Sequence, residues 1–242
     1  FTLRSPGQAV AKHFELAETP LFEPRYNIAP TQPAPVVRLT SASGRRVFDW
    51  LRWGLVPSWA KDLDIGNQLI NARGETLASK PAFRHAFRQR RCLVVADGFY
   101  EWQRQGKRKQ PFYITAADGS PLAFAGLWER WQSPGAGQAD KPAGEASPIE
   151  SCTIITTSAS ECVRALHDRM PVILPRETWT AWLDPAMDDS AALHDLMNRC
   201  AVDGLVSHPV DALVNSPAND SSRCIEPLTG GDKSKPVDRM LF

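Results

Sequence analysis

The sequence predicts an α+β fold, and three observations carry that expectation. Eight short segments rich in β-branched and aromatic residues are spread along the chain, at 36–39, 47–53, 92–96, 98–103, 111–115, 122–127, 152–157 and 171–174. Helical patterns interrupt them without the regular strand–helix alternation of βαβ units. The chain has 242 residues, fewer than the roughly 250 to 300 at which chains split into several cores, so a single core is expected. Eight strands are enough for a curved sheet or a barrel.

The helices follow from spacing and punctuation. Val10, Ala11 and Phe14 recur at helical intervals within 8–16, with Ser5 and Pro6 placed to cap and open that helix. Further helical patterns cover 82–89, 160–166, 176–183 and 191–200, the third opened by Pro175. Between the first helix and the first strand, Arg25 to Thr31 is bracketed by prolines and reads as a structured loop. The stretch 133–148 is poor in apolar residues and reads as a flexible insertion, and 220–242 reads as a polar, mobile tail, leaving 1–219 as the domain.

Composition narrows the function classes. No apolar run approaches the ~18 residues of a membrane span, and residues 1–6 are not of signal-peptide type, so a cytoplasmic protein without a membrane partner is expected. Cys92, Cys152, Cys162, Cys200 and Cys224 show no Cys-x-x-Cys spacing, which favours reduced thiols and neither metal nor other cofactor. A net charge of +1 gives no global attraction to nucleic acid, so any phosphate binding must come from a local basic surface.

Four segments carry candidate chemistry. In Trp53-Gly54-Leu55-Val56-Pro57-Ser58-Trp59, two tryptophans flank a proline-broken turn, where they could stack on bases or simply cap the core. In Asn71-Ala72-Arg73-Gly74-Glu75-Thr76, Asn71 offers a donor and an acceptor and Arg73 a planar fork for phosphate, although a structural Arg–Glu pair fits as well. The basic residues that follow, Lys80, Arg84, His85, Arg88, Arg90 and Arg91, could track a phosphate backbone or form a solvated helix face. Gly98 suggests a bulge or close approach, and Glu101 between Tyr100 and Trp102 sits in a run otherwise strand-like; burial there would raise its pKa and make it a general acid, unless it pairs with Arg73. Finally Thr156-Thr157-Ser158 precedes a short helix and His167-Asp168-Arg169-Met170-Pro171, where His167 has the most polar company of the histidines. His13, His85 and His194 look structural, and His208 is undecided.

Taken in order, Tyr26-Asn27-Ile28-Ala29-Pro30, the two tryptophans with their turn, Asn71 to Thr76, Asp97 to Trp102 and His167 to Pro171 resemble the SRAP family, the SOS response-associated peptidases regarded as abasic-site processing proteins. The match runs from Phe1 to about Asn219. The resemblance implies a mixed, mostly antiparallel β-barrel-like core with peripheral helices. It also implies a monomer in the DNA-damage response that binds single-stranded DNA and single-strand/double-strand junctions at abasic sites, nucleoid-associated when bound. In the family an N-terminal cysteine captures the ring-opened aldehyde as a thiazolidine. By the matching motifs Asn71 would orient the sugar, Glu101 would assist ring opening and proton transfer, and His167 would act in proton transfer and reversal. Arg73, Thr156 and Arg169 would hold phosphates, and Asn27, Pro30, Ser58 and Trp59 would line the DNA path.

The chemistry stands on its own terms. A 1,2-aminothiol traps an aldehyde because imine formation is reversible and the adjacent thiolate closes a stable ring; the α-amine, with pKa near roughly 7.7 to 8.0, is partly neutral at pH 7. This chain departs from the pattern. The family opens Met-Cys-Gly-Arg and then an aromatic residue, whereas Phe1 is that aromatic. The expectation is a fragment of the natural protein, inactive in crosslinking as given. Two other readings stay open: a non-covalent single-strand binding module, and a cysteine-type peptidase limited to its own initiator methionine.

Overall fold

The computed structural model describes residues 1–40, 44–106, 108–133, 148–200 and 203–228. Ten strands follow one another as β1 (Pro33–Leu39), β2 (Arg46–Trp53), β3 (Asn71–Arg73), β4 (Arg91–Ala96), β5 (Gly98–Gln105), β6 (Arg108–Ala116), β7 (Leu122–Trp131), β8 (Ile149–Ser158), β9 (Arg169–Pro171) and β10 (Leu205–Pro209). The helices are α1 (Gly7–Phe14), α2 (Arg84–Gln89), α3 (Glu161–Arg164), α4 (Trp179–Leu183) and α5 (Ser190–Asn198), with short 3₁₀ turns between.

Antiparallel pairing runs β2–β1–β4–β7–β8. A short parallel contact, Arg52 opposite Ser151 and Trp53 opposite Cys152, returns β8 to β2 and closes five strands into a barrel. The fold is therefore α+β around a mixed, mostly antiparallel barrel. Every residue of β4 is buried, because its inner face lines the barrel and its outer face is covered by α4; a continuous apolar run is what two covered faces require. A second sheet, β10–β6–β5, stands beside the barrel. Its entry point is tight. A Cβ on Gly98 would lie 2.4 Å from Tyr113 Cζ and 2.6 Å from the Ile114 carbonyl, so the expected close approach at this glycine is present.

Several local expectations are corrected. Ser5 does not cap α1: the N-cap is Pro6 without a side-chain bond, and the Ser5 hydroxyl donates to Asp97 Oδ1 at 2.5 Å. The strand expected at 171–174 is instead Arg169–Pro171, with one further isolated bridge from Ile173 to Phe124. Arg91 is not a surface cation. It is 3% exposed, and its guanidinium donates to the carbonyls of Phe87 and Arg88 at the end of α2 and of Trp182, Asp184 and Met187 at and beyond the end of α4, supplying donors that helix ends lack. Arg90 beside it pairs with the buried Glu129. Two members of the basic run thus hold the fold.

The first residues of the stretch expected to be a tail, 220–228, are instead held against the domain. Residues 220–228 are ordered by contacts: Asp220 accepts from the Arg25 side chain and from the backbone N–H of Tyr26 and Asn27, Cys224 is buried, and Pro227 bridges Val210. This strap fixes the Arg25–Asn27 loop against β5 and β6. Residues 134–147, within the expected insertion, and 229–242, within the expected tail, lie outside the described residues. No described helix is long and apolar enough to cross a membrane.

Candidate functional site

Three strands that share one edge of the barrel build the site. β3 adds parallel to β8, with Asn71 opposite Ile154 and Arg73 opposite Thr156, and β9 adds antiparallel on the same strand, with Pro171 opposite Thr156 and Arg169 opposite Ser158. Asn71 and Arg73, two apart on a strand, point to one face while Ala72 between them is buried in the core. β5 brings Glu101 and the turn after α3 brings His167. Together Asn71, Arg73, Glu101, Thr156, His167, Arg169, Met170 and Pro171 line an open pocket of about 240 Å³.

The charges in this pocket are unequally satisfied. Glu101 has no ion-pair partner among the described residues. Burial raises its pKa to about 7, while the positive potential of His167 pulls it down and Asp168 pushes it up. The carboxyl is therefore divided between its two forms at neutral pH. The alternative Arg73–Glu101 pair is not formed, nor is a pair of Arg73 with its neighbour Glu75. Glu75 instead meets Arg169 in a two-pronged contact of 3.1 and 2.9 Å, and hydrogen bonding to that guanidinium lowers the Glu75 pKa. Arg169 also donates to Thr156 through Oγ1 at 3.2 Å and through the carbonyl at 2.6 Å. Arg73 is exposed and makes no ion pair among the described residues, which leaves it as the open cation of the pocket. Asn71 is likewise exposed, and no described residue takes up its amide. His167 Nδ1 lies 3.0 Å from the backbone N–H of Arg169 and 3.1 Å from Asp168 Oδ1.

The other anticipated residues lie outside this pocket. The two tryptophans of the 53–59 turn part company: Trp53 is 9% exposed and donates from Nε1 to the Ile70 carbonyl at 2.8 Å, whereas Trp59 is 58% exposed. Ser58 and Pro30 are exposed. Asn27 is 5% exposed, and its amide nitrogen donates to the carbonyls of Val214, Ser216 and Asn219 at 3.0 to 3.1 Å, so that nitrogen is committed to bracing the segment that leads into the strap. Met170 and Pro171 line the pocket and Glu75 supports it through Arg169, a contact that sequence reading did not foresee. Glu75 is 94 residues from its partner, a separation at which no local pattern speaks.

No cysteine lines the pocket. Cys92 and Cys152 are buried inside the barrel, where burial pushes the Cys152 thiol up to about 12 and the Cys92 thiol well above the ordinary range, and burial also raises Cys200. These three are neutral at physiological pH. The Phe1 amine is buried, donates to the Ile28 carbonyl at 3.0 Å, and is lowered by burial to about 5. Among the described residues no group of three or more His, Cys, Asp and Glu is placed to hold a metal ion.

A carboxyl near neutrality, an exposed imidazole, an amide without a protein partner among the described residues and an open guanidinium thus meet at one rim of the barrel, groups able to exchange protons beside a positive charge. The chain belongs to the SRAP family: a family model described as SOS response associated peptidase matches residues 1–217. It is 40% identical over 230 residues to the abasic site processing protein YoqW of Bacillus subtilis, covering 93% of this chain and 97% of that one. It is 32% identical to the abasic site processing protein HMCES of Xenopus tropicalis, covering 89% and 70% of the two chains. A crystal structure of a protein from Bacteroides thetaiotaomicron matches the fold with a TM-score of 0.79 at 23% identity, covering 94% of this chain and 98% of that one.

Proposed function

We propose that this chain processes abasic sites in DNA, with the pocket at Asn71, Glu101 and His167 receiving the ring-opened deoxyribose. The observation that carries the reading is the convergence of those three side chains, from three separate elements, beside the open cation Arg73. Sugar ring opening needs one proton removed from the C1′ hydroxyl and one delivered to the ring oxygen. A carboxyl with a pKa of about 7 serves either step at neutral pH. Asn71 holds a sugar hydroxyl, and His167, which lines the same pocket, exchanges protons with the sugar. Arg73 takes a flanking phosphate. Arg169, already engaged by Glu75 and Thr156, has one guanidinium N–H left and contributes less than the sequence alone implied.

Supporting this reading, the relatives YoqW and HMCES are both named abasic site processing proteins. The covalent step is assigned to an α-amino cysteine preceding Phe1 by Gly and Arg. Its amine forms an imine with the aldehyde, releasing water, and its thiol adds to the imine carbon to close the thiazolidine. The buried amine of Phe1 and the neutral core thiols do not substitute for it. Single-stranded DNA and junctions are the intended ligands, with Trp59 as the exposed stacking surface.

The test is a denaturing-gel assay with abasic single-stranded DNA, comparing this chain with one that carries Cys-Gly-Arg before Phe1. A heat-stable adduct confined to the extended chain is the expected result. Native binding by both chains with no adduct from either would reduce the function to a non-covalent single-strand binding module.

A further inference from the structure

We infer that the pocket is complete for a free small molecule, a 5-phosphorylated aldopentose with neither a base nor a polynucleotide attached, of which 2-deoxyribose 5-phosphate is the simplest probe. The inference rests on the proposed function and names a second substrate class for the same site. Its origin is what the pocket leaves open. Asn71 offers an amide, Arg73 a guanidinium and Glu101 a carboxyl, each without an ion pair or amide partner among the described residues, and all three line one cavity with His167. The second guanidinium there is engaged: Arg169 binds the Thr156 hydroxyl, the Thr156 carbonyl and both oxygens of Glu75, which occupies four of its five N–H groups. One open cation answers one phosphate, and the amide and carboxyl beside it answer the hydroxyls of one sugar.

Size points the same way. At about 240 Å³ the cavity lies under the roughly 300 Å³ at which pockets for drug-sized ligands begin. A pentose phosphate belongs to that smaller class, and a nucleotide with its base does not. Trp59, the exposed indole assigned to stacking, does not line the cavity, so that contact to a neighbouring nucleotide lies outside it. It adds affinity for a polymer, while the sugar and its phosphate are recognised without it.

The chemistry carries over to the free sugar. A phosphate on O5 keeps the sugar in the five-membered hemiacetal ring that an abasic nucleotide also has. Opening removes the C1 hydroxyl proton, forms the C1 carbonyl, breaks the bond from C1 to the ring oxygen and places one proton on that oxygen. Glu101, divided between its two forms at neutral pH, and His167 are the groups in the pocket that exchange those protons. In a chain that carries Cys-Gly-Arg before Phe1, the aldehyde then loses its oxygen as water to the cysteine amine, and the thiol adds to the imine carbon.

An NMR titration of this chain at neutral pH and low salt reads the binding step. The sugar phosphate is expected to bind roughly tenfold tighter than 2-deoxyribose, the value of one charge-assisted contact, and Arg73→Ala is expected to abolish that difference. Arg73 is exposed, so the variant should fold, and its unfolding midpoint checks this. Thymidine 5′-monophosphate, which has the same sugar and phosphate but a base on C1, is expected to bind at least about tenfold more weakly than the sugar phosphate. Equal binding of the two phosphates, or a phosphate preference that survives Arg73→Ala, overturns the inference. Intact mass spectra of the Cys-Gly-Arg-extended chain read the covalent step as an adduct of the ligand minus one water. It should form at least about tenfold faster than on the free peptide Cys-Gly-Arg-Phe, whose aminothiol reacts with aldehydes unaided, and Glu101→Gln should slow it. A rate no greater than the peptide's overturns the inference. Trapping of abasic DNA but not of the free sugar phosphate sinks this inference alone, and the reverse sinks the DNA reading alone.

Discussion

The strap and the pocket use the same two side-chain types in opposite ways. At the strap, Asp220 accepts from one guanidinium and two backbone N–H groups, and beside it Asn27 gives its amide to three carbonyls of the segment that leads into the strap. In the pocket, Glu101 has no ion pair and Asn71 no protein partner among the described residues. The hydrogen bonds and charge around Asp220 hold its pKa below the ordinary value despite burial, whereas burial dominates at Glu101 and raises it. A saturated polar group is one the fold depends on. A buried or convergent group left unsaturated is a place where a ligand completes the bonding.

The largest expected effect tests the saturated side. Asp220→Ala leaves Arg25 and two backbone N–H groups without their acceptor, and the loss should be about 3 kcal/mol, read as a lower urea midpoint with unchanged slope. A change below about 0.5 kcal/mol, the level of an ordinary surface substitution, would remove the distinction between the two regions.

Next is Glu101, where the effect depends on pH. Its folded pKa of about 7 lies above the ordinary 4.5, so the folded state keeps its proton longer than the unfolded state does. The stability tied to this group is complete below pH 4.5 and is lost as pH rises to about 7, by on the order of 3 kcal/mol. Glu101→Gln, which cannot ionise, should therefore become progressively more stable than the wild type across that interval, with a constant difference above it. Urea titrations at pH 5 and pH 8 measure the change. Parallel behaviour of the two proteins would mean that Glu101 has a partner or is well solvated.

Asn71→Ala is the counterpart of the strap's Asn27. Because no described residue uses its amide, stability should stay within about 0.5 kcal/mol of the wild type. In the Cys-Gly-Arg-extended chain, removing one preorganised donor from the reacting sugar should slow trapping by roughly 10²-fold, measured by single-turnover gel kinetics. A stability loss with unchanged trapping would move Asn71 from the pocket's chemistry to the fold.

The difference between the regions also explains what the sequence could and could not say. β4, β7 and β8 were legible because two covered faces demand long apolar runs, and Asn71, Glu101 and His167 were legible because polar residues stood against strand-like surroundings. The strap was not. Asp220 lies in a polar stretch that looks like a tail, and its value comes from a loop about 195 residues away, a relation without local periodicity. The bracing bonds of Asn27 were hidden for the same reason: it sits in an irregular, proline-bracketed loop, where a ligand-facing and a carbonyl-bracing amide look alike. Arg91 looked like one more surface cation because its five carbonyl partners are fixed only when two helix ends meet it.

The smallest expected effect concerns two tryptophans that the sequence presents as a matched pair. Trp53 is packed against Phe1 and hydrogen-bonded to Ile70, so it belongs with the saturated groups, whereas Trp59 leaves its indole to solvent. Trp59→Ala should leave the unfolding midpoint nearly unchanged, since little apolar surface returns to water. Its consequence should appear only with a ligand: affinity for an unmodified single strand should fall by about 1 to 2 kcal/mol, the value of one stacked base. Fluorescence anisotropy at fixed salt checks this, and the salt dependence separates stacking from charge. Loss of a stacked base shifts affinity without altering the slope against log salt, whereas loss of a phosphate contact such as Arg73 lowers that slope by roughly 0.7 for a single strand. If Trp59→Ala changes neither affinity nor stability, the exposed indole lies off the DNA path, and the strand must reach the pocket from the Arg73 side.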